Sequence, residues 1–292
     1  MKFKHIYGVD FSGAKNAGDA IWIAHAQPFS RERLTSASSV EPRRALKLVD
    51  LQSLSSSAGT SEREPSLEHL VKLIAQSQDA LWALDFPFGL PIELFDQGIA
   101  WSTQLEVLRG WNSGAYDFGI WCVERTRKLL NRMHVRRTTD VDAKTPFDCY
   151  HYRIVYQMFH GMRDVLLPLA RHRGTAILPF GYRKLDRAQR VMVEACPSST
   201  LKRLSAPHQN YKQPAGGPLT SIRRRTRHKI LELIQPYIEI SEQHRRIIMR
   251  NGGGDALDAV IAAVGAQQSF AAADHEAIAR HARYPREGRL YA

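Results

Sequence analysis

The sequence predicts an α/β protein whose mixed sheet is flanked by helices, and three local patterns carry that prediction. Residues 4–26 have the pattern of two strands joined by a tight turn, with Gly13, Asn16 and Gly18 between the two apolar runs. Residues 45–54 partly alternate between apolar and polar side chains, which predicts a third strand. A helix and a buried strand follow, and a strand reached through a helical crossover runs parallel to an earlier one. The hairpin is antiparallel, so the sheet is expected to be mixed.

The helix and the strand that follow the hairpin have clear periodicity. Ser66 is the expected helix cap. The apolar face of this helix has the spacing i, i+3, i+4 and i+7, at Leu67, Leu70, Val71 and Ile74. Residues 80–86 then form a buried strand that the following proline ends. Two polar stretches, 27–44 and 55–65, are expected to be loops.

The second half of the chain completes the predicted order β-β-β-α-β-α-β-α. Residues 91–185 are interpreted as a mainly helical insertion within one domain that spans residues 1–292. Residues 190–197 restore the strand pattern, and a helix is expected to start at Ser198 or Ser199. Residues 221–233 and 255–269 predict two further helices.

Composition limits the classes of protein that this chain can be. No run approaches the about 18 apolar residues of a membrane span, and the N-terminus lacks a signal-peptide pattern. The three cysteines are far apart and form no CxxC pair, which predicts free thiols and a cytoplasmic location. Lys plus Arg is 41 and Asp plus Glu is 29, a net charge of +12. This charge favours nucleic acid as the partner, with plain solubility as the alternative.

Five acids lie at marked positions: Asp10 and Asp85 at strand ends, Glu194 in the last main strand, and Asp255 with Asp258 at the start of the last main helix. Clustered carboxylates repel, so they stay together only where cations neutralise them. A set of oxygen ligands without His or Cys favours Mg²⁺ or Mn²⁺. Two such ions about 4 Å apart can activate a water and stabilise the leaving oxygen in phosphodiester hydrolysis. Helix capping would explain Asp255 alone but not Asp258.

Basic residues are densest in the helix at 221–233. Its cations are interpreted as nucleic-acid contacts, and they are Arg223, Arg224, Arg225, Arg227 and Lys229. The alternative is the exposed side of a packed helix. Residues 123–137 form a second basic segment, for which a solvated helix face is an equal alternative.

Four motifs and the C-terminus together resemble the family called domain of unknown function 429, whose members are predicted RNase H-like nucleases. The matching segments are GVDFSG at 8–13, ALDFPFGLP at 83–91, VEACPSS at 193–199, GGDALDAVIAA at 253–263 and the ending EGRLYA. The resemblance implies an RNase H-like fold and a metal-dependent nuclease site on the five acids. The last two acids are also similar to the closing motif of RuvC-type junction resolvases. Glu194 departs from the pattern of ribonucleases H, which carry their glutamate on the first crossover helix.

The leading hypothesis is a two-metal phosphodiesterase acting on nucleic acid. Asp10 would bridge both ions, Asp85 would hold one and Asp255 or Asp258 the other, with Glu194 as an auxiliary ligand or water orienter. Two alternatives stay open. One is a non-catalytic nucleic-acid-binding or adaptor protein. The other is a phosphotransferase related to sugar kinases and actin-like ATPases, which share the RNase H-like fold.

Overall fold

The computed structural model describes residues 3–29, 45–95, 99–214 and 216–292. Within these ranges one mixed sheet has seven strands in the order β5-β6-β4-β1-β2-β3-β7. The strands are β1 (His5–Asp10), β2 (Trp22–Pro28), β3 (Leu46–Ser53), β4 (Ala80–Leu84), β5 (Thr175–Ile177), β6 (Arg190–Glu194) and β7 (Ile238–Glu239).

The first four strands confirm the predicted pairing. β1 and β2 are antiparallel, with Val9 opposite Ile23, and β2 and β3 are also antiparallel. β4 runs parallel to β1, with Val9 opposite Leu84. The connection between β1 and β2 differs from the expected tight turn because it contains a short helix, α1 (Ala17–Ala20).

Helices flank this sheet. Up to the end of the predicted insertion they are α2 (Leu54–Ala58), α3 (Arg63–Gln76), α4 (Trp101–Arg109), α5 (Gly114–Leu130), α6 (Thr138–Asp142), α7 (Val155–His160) and α8 (Leu167–Ala170), with a π-helical segment at Gly161–Leu166 and 3₁₀ turns at Ile92–Leu94 and Tyr182–Arg187. After it come α9 (Pro197–Arg203), α10 (Ser221–Ile234), α11 (Glu242–Arg250), α12 (Asp255–Ala272), α13 (His275–Arg280) and α14 (Tyr284–Glu287).

Alternate side chains of the central strands supply two separate hydrophobic cores. In β4, Leu81 and Ala83 belong to a core shared with α10 and α12. Trp82 and Leu84 belong to the opposite core, shared with α3, α5 and α7. Side chains alternate between the two faces of a strand, so β4, which is buried on both faces, is apolar throughout.

The long helix α12 packs directly on β1. A Cβ atom built on Gly8 would lie 2.0 Å from the Ala259 carbonyl oxygen and 2.5 Å from the Ala263 nitrogen. Only glycine permits this approach, and it fixes where the first turn of α12 lies relative to the end of β1.

Several local predictions need correction. Residues 55–58 of the predicted loop 55–65 are helical, in α2, which begins at Leu54. Helix α3 begins at Arg63 after Glu62, so Ser66 does not cap it. Instead the buried Ser66 hydroxyl donates a hydrogen bond to the Thr60 carbonyl oxygen at 3.2 Å. Helix α9 starts at Pro197, one residue before the earlier of its two predicted starts.

The sheet also contains strands that the sequence pattern did not predict. β5 falls inside the range 91–185, yet it pairs in parallel with β6 at one edge of the sheet. β7 extends the other edge through two residue pairs with β3. At the C-terminus, Leu290 forms one parallel bridge with Glu194. Residues 30–44 of the predicted loop 27–44 lie outside the described residues.

Within the same ranges, no helix is both long enough and apolar enough to cross a membrane.

Candidate functional site

Two of the predicted acids are neighbours at the carboxyl end of the sheet. Asp10 ends β1 and Asp85 follows β4, and the two strands are parallel and adjacent. The Asp85 backbone amide donates to the Val9 carbonyl oxygen at 2.9 Å. This bond continues the hydrogen bonding between β1 and β4 as far as the two acids. Ligands of open α/β sheets bind at this edge, so the position suits a functional site.

Helix α12 brings a third acid to the same place. Asp258 lies in its first turn, immediately before the residue that packs against Gly8, and only 2% of its surface is exposed. Asp10, Asp85 and Asp258 all line one cleft of about 620 Å³. Three separate elements therefore deliver three carboxylates to a single cavity.

Asp255 lies one turn away and is not among the residues that line the cleft. Its carboxylate accepts a hydrogen bond from the Asn251 amide at 3.4 Å. The capping role belongs to Asn251, whose side-chain oxygen accepts from the amides of Gly254 and Ala256. Capping therefore does not explain Asp255, although its charge still reaches Asp10.

Burial and mutual repulsion make Asp10 and Asp85 hard to ionise. Burial, and then the charges of Asp258, Asp85 and Asp255, hold the pKa of Asp10 well above its usual range, against the opposing attraction of Lys212. Burial and Asp258 raise the pKa of Asp85 to about 8, again against Lys212. A cluster of this kind favours the approach of a cation.

Lys212 is a cation in direct contact with this cluster, and no sequence pattern marked it. It lies in the polar loop between α9 and α10, and its ammonium group pairs with Asp258. Burial works against its charge, but the attraction of Asp258 and Asp10 outweighs burial and raises the pKa of Lys212 well above its ordinary value. The preceding residue, Tyr211, donates its hydroxyl to the other oxygen of Asp258 at 2.9 Å.

Glu194 reaches the cleft, but its oxygens are already engaged. Arg137 donates to both of them, at 2.9 and 2.5 Å, and the Phe88 amide donates to one at 2.9 Å. Arg137 also binds Asp140, and all three side chains are buried. Arg137 therefore compensates the charge of Glu194, and the role of Glu194 as an auxiliary ligand or water orienter stays a prediction.

The basic helix α10 divides into exposed and buried cations. Arg224, Arg225 and Lys229 are exposed, and Arg223 is partly exposed and lines the cleft. Arg227 is fully buried. Its guanidinium donates to four carbonyl oxygens, those of Tyr211, Ile248, Asn251 and Gly252, at 2.6 to 2.7 Å. The prediction that Arg227 contacts nucleic acid is corrected, since it joins the Lys212 loop to the start of α12.

The oxygen ligands at the cleft suit Mg²⁺ or Mn²⁺, but the described residues do not form a preorganised coordination site. Across these residues, no group of three or more His, Cys, Asp or Glu side chains is placed to hold an ion. The oxygens of Asp258 are instead held by Tyr211 and Lys212. The pairing with Lys212 would have to open for Asp258 to serve as a ligand, so the metal site stays a prediction.

Compared with known proteins, the chain matches no family model, no curated protein and no solved structure.

Proposed function

We propose that this chain is a metal-dependent nuclease that hydrolyses phosphodiester bonds of nucleic acid in the cleft at the ends of β1 and β4. The observation that carries the proposal is the meeting of Asp10, Asp85 and Asp258 in one cavity. Each comes from a different element, and a bound cation would offset their mutual repulsion.

The sheet supports an RNase H-like assignment. An antiparallel β1-β2-β3 unit precedes a helical crossover to β4, which is parallel to β1, and β6 extends the parallel part. α12 then covers the sheet and supplies an acid. This succession agrees with the order that the motif resemblance implies.

In the proposed site, Asp10, Asp85 and Asp258 would hold a divalent ion. Such an ion would supply a polarised water and neutralise charge that develops on the phosphate. Lys212 and Arg223 line the cleft and would attract and orient the phosphate backbone. The second ion of the two-metal hypothesis stays a prediction.

One observation favours a second candidate, a nucleic-acid-binding protein without catalysis. The pairing of Asp258 with Lys212 and Tyr211 already satisfies this carboxylate without a metal ion. In such a protein the acids would serve the fold, and their amide variants would still bind nucleic acid.

The test is cleavage of labelled single- and double-stranded DNA and RNA with Mn²⁺, with Mg²⁺ and with EDTA. We expect metal-dependent cleavage by the unaltered protein and its loss in Asp10→Asn. The matched control is Asp186→Asn, which alters an exposed aspartate in a 3₁₀ turn outside the cleft and should retain activity. Circular dichroism checks that both variants fold.

Full cleavage by folded Asp10→Asn would overturn the assignment of this residue. Binding that weakens as salt rises, without cleavage of any substrate, would favour the second candidate.

A further inference from the structure

An aromatic and basic surface, here called the rim, lies in the segment between α6 and α7 and comprises Phe147, His151, Tyr152 and Arg153. The Phe147 and His151 rings stack with centroids 4.4 Å apart, and the His151 and Tyr152 rings are also 4.4 Å apart. The Arg153 guanidinium lies 5.6 Å from both the Phe147 and the Tyr152 ring centroids. The rim is thus one continuous set of planar groups.

The rim is held in place while its planar groups remain accessible. Tyr152 is 68% exposed, whereas Cys149 and Tyr150, just before the outer part of the rim, are buried. The Tyr150 hydroxyl bonds to Thr126 and to the Val135 amide. The exposed Tyr152 ring adds little to the core, and the Phe147 and His151 rings are partly exposed. A contact outside the protein explains this aligned set better than packing does.

The rim adjoins the acid cleft. Phe147 and Arg153 are among the residues that line it. Gln157, in the helix that follows the rim, donates to the Phe11 carbonyl oxygen at 2.6 Å, and Phe11 directly follows Asp10. A polymer bound in the cleft would therefore contact the rim where it leaves the cleft.

We infer that the rim stacks the unpaired bases of a single-stranded nucleic acid whose backbone enters the acid cleft. Stacking on aromatic and guanidinium planes is the sequence-tolerant way in which proteins hold single strands. Bases in a duplex have both faces covered by neighbouring pairs, so the rim cannot stack on them without unpairing. This inference rests on the proposed function and narrows its substrate to single strands.

The test measures binding in EDTA, so that it does not depend on cleavage. Fluorescence anisotropy is recorded with oligo-dT, with oligo-rU, with a duplex, and with an abasic strand of the same length. The variants are Tyr152→Ala and Tyr152→Phe. The matched control is Tyr116→Ala, which removes a 60% exposed tyrosine ring in α5, outside the rim.

We expect single strands to bind more tightly than the duplex or the abasic strand. Tyr152→Ala should weaken single-strand binding on the order of tenfold, the loss of one stacked base. Tyr152→Phe keeps the ring and should restore binding, while Tyr116→Ala should bind like the unaltered protein. The oligo-dT and oligo-rU arms report whether the strand is DNA or RNA.

Equal affinity for the abasic strand, equal affinity for the duplex, or unchanged binding by folded Tyr152→Ala would each overturn the inference. Absence of single-strand binding would do so too. Absence of cleavage alongside ring-dependent binding would remove the nuclease proposal but leave the stacking surface in place.

Discussion

Among Asp10, Asp85 and Asp258, Asp258 is the most enclosed, and its two oxygens have different partners. Tyr211 holds one oxygen with a neutral hydrogen bond, and Lys212 pairs with the other. The lysine side chain is 44% exposed, so it is able to leave without rearranging the core. At the scale of single residues, Lys212 decides whether Asp258 is open to another cation.

Lys212→Met is expected to lower the free energy of unfolding in EDTA and to increase the stabilisation that Mn²⁺ provides. Loss of a charged hydrogen bond to a buried carboxylate costs roughly 1–3 kcal/mol of unfolding free energy. Mn²⁺ binding to the folded state should return that stability. The measurement is the thermal midpoint with and without Mn²⁺, with Lys72→Met on the exposed face of α3 as the control. An equal Mn²⁺ shift in the unaltered protein and in Lys212→Met would contradict the prediction.

Asp85 is expected to make stability depend on pH in the absence of metal. Folding raises its pKa from 3.8 to about 8, so the folded protein holds the proton more tightly than the unfolded chain. The resulting stabilisation is complete below about pH 3.8 and is lost as pH rises through about 8. Asp85→Asn removes the ionisable group and should flatten this decline, giving a variant more stable than the unaltered protein above pH 8.

Denaturant unfolding in EDTA at a series of pH values measures this effect. Asp186→Asn should follow the curve of the unaltered protein. If the curves of Asp85→Asn and the unaltered protein ran parallel, burial would not be perturbing this carboxyl group.

At the scale of elements, the contact between α12 and β1 determines where Asp258 lies. The helix backbone passes so close to Gly8 that any side chain there would collide with the Ala259 carbonyl. The small residues of α12 permit that approach, and all its residues from 256 to 266 are buried. One glycine therefore positions an acid on another element.

Gly8→Ala is expected to lower the unfolding free energy by roughly 1–3 kcal/mol or more, because the helix backbone must shift. The matched control is Gly110→Ala, where φ is −77° and the nearest atom to a new Cβ is 3.6 Å away. That control should be neutral or slightly stabilising. Guanidinium unfolding compares the two variants. Equal stabilities would show that α12 does not pack on β1 as described.

At the scale of the whole molecule, the net charge of +12 includes buried cations that join segments of the fold and exposed cations that face solvent. Arg137 and Arg227 are buried and join segments that are distant in sequence. Arg224 and Arg225 are exposed on α10, one turn or less from Arg223 at the cleft. Of these four arginines, only the exposed Arg224 and Arg225 are available to a polyanion.

Replacing both Arg224 and Arg225 with Ala should weaken nucleic-acid binding and make it less sensitive to salt. Each phosphate contact that is lost reduces the slope of log K against log salt by about 1. Titrations at several salt concentrations measure the slope. Arg173→Ala is the control, because this exposed arginine precedes β5, at the amino end of the parallel strands and away from the cleft. An unchanged slope in the double variant would exclude α10 from the interface.

Local sequence pattern was sufficient to predict the strands and helices whose own apolar side chains repeat with the period of the element. The strands from β1 to β4, the strand carrying Glu194 and the helices α3, α10 and α12 were predicted because burial repeats with the period of the element. The acids at strand ends were also recognisable, since a carboxylate in an apolar run requires a partner. The family resemblance and the nuclease function stay predictions.

The partners of those acids depended on the tertiary structure. Lys212 lies 46 residues before Asp258 in the chain, Arg137 is 57 residues from Glu194, and Arg227 bonds to residues up to 25 positions away. Short strands such as β5 and β7 carry too few residues for a period, so they form only because neighbouring strands offer them an edge. The sequence does not show whether a charged residue is exposed, buried or held in an ion pair, because that depends on which charges folding places beside it.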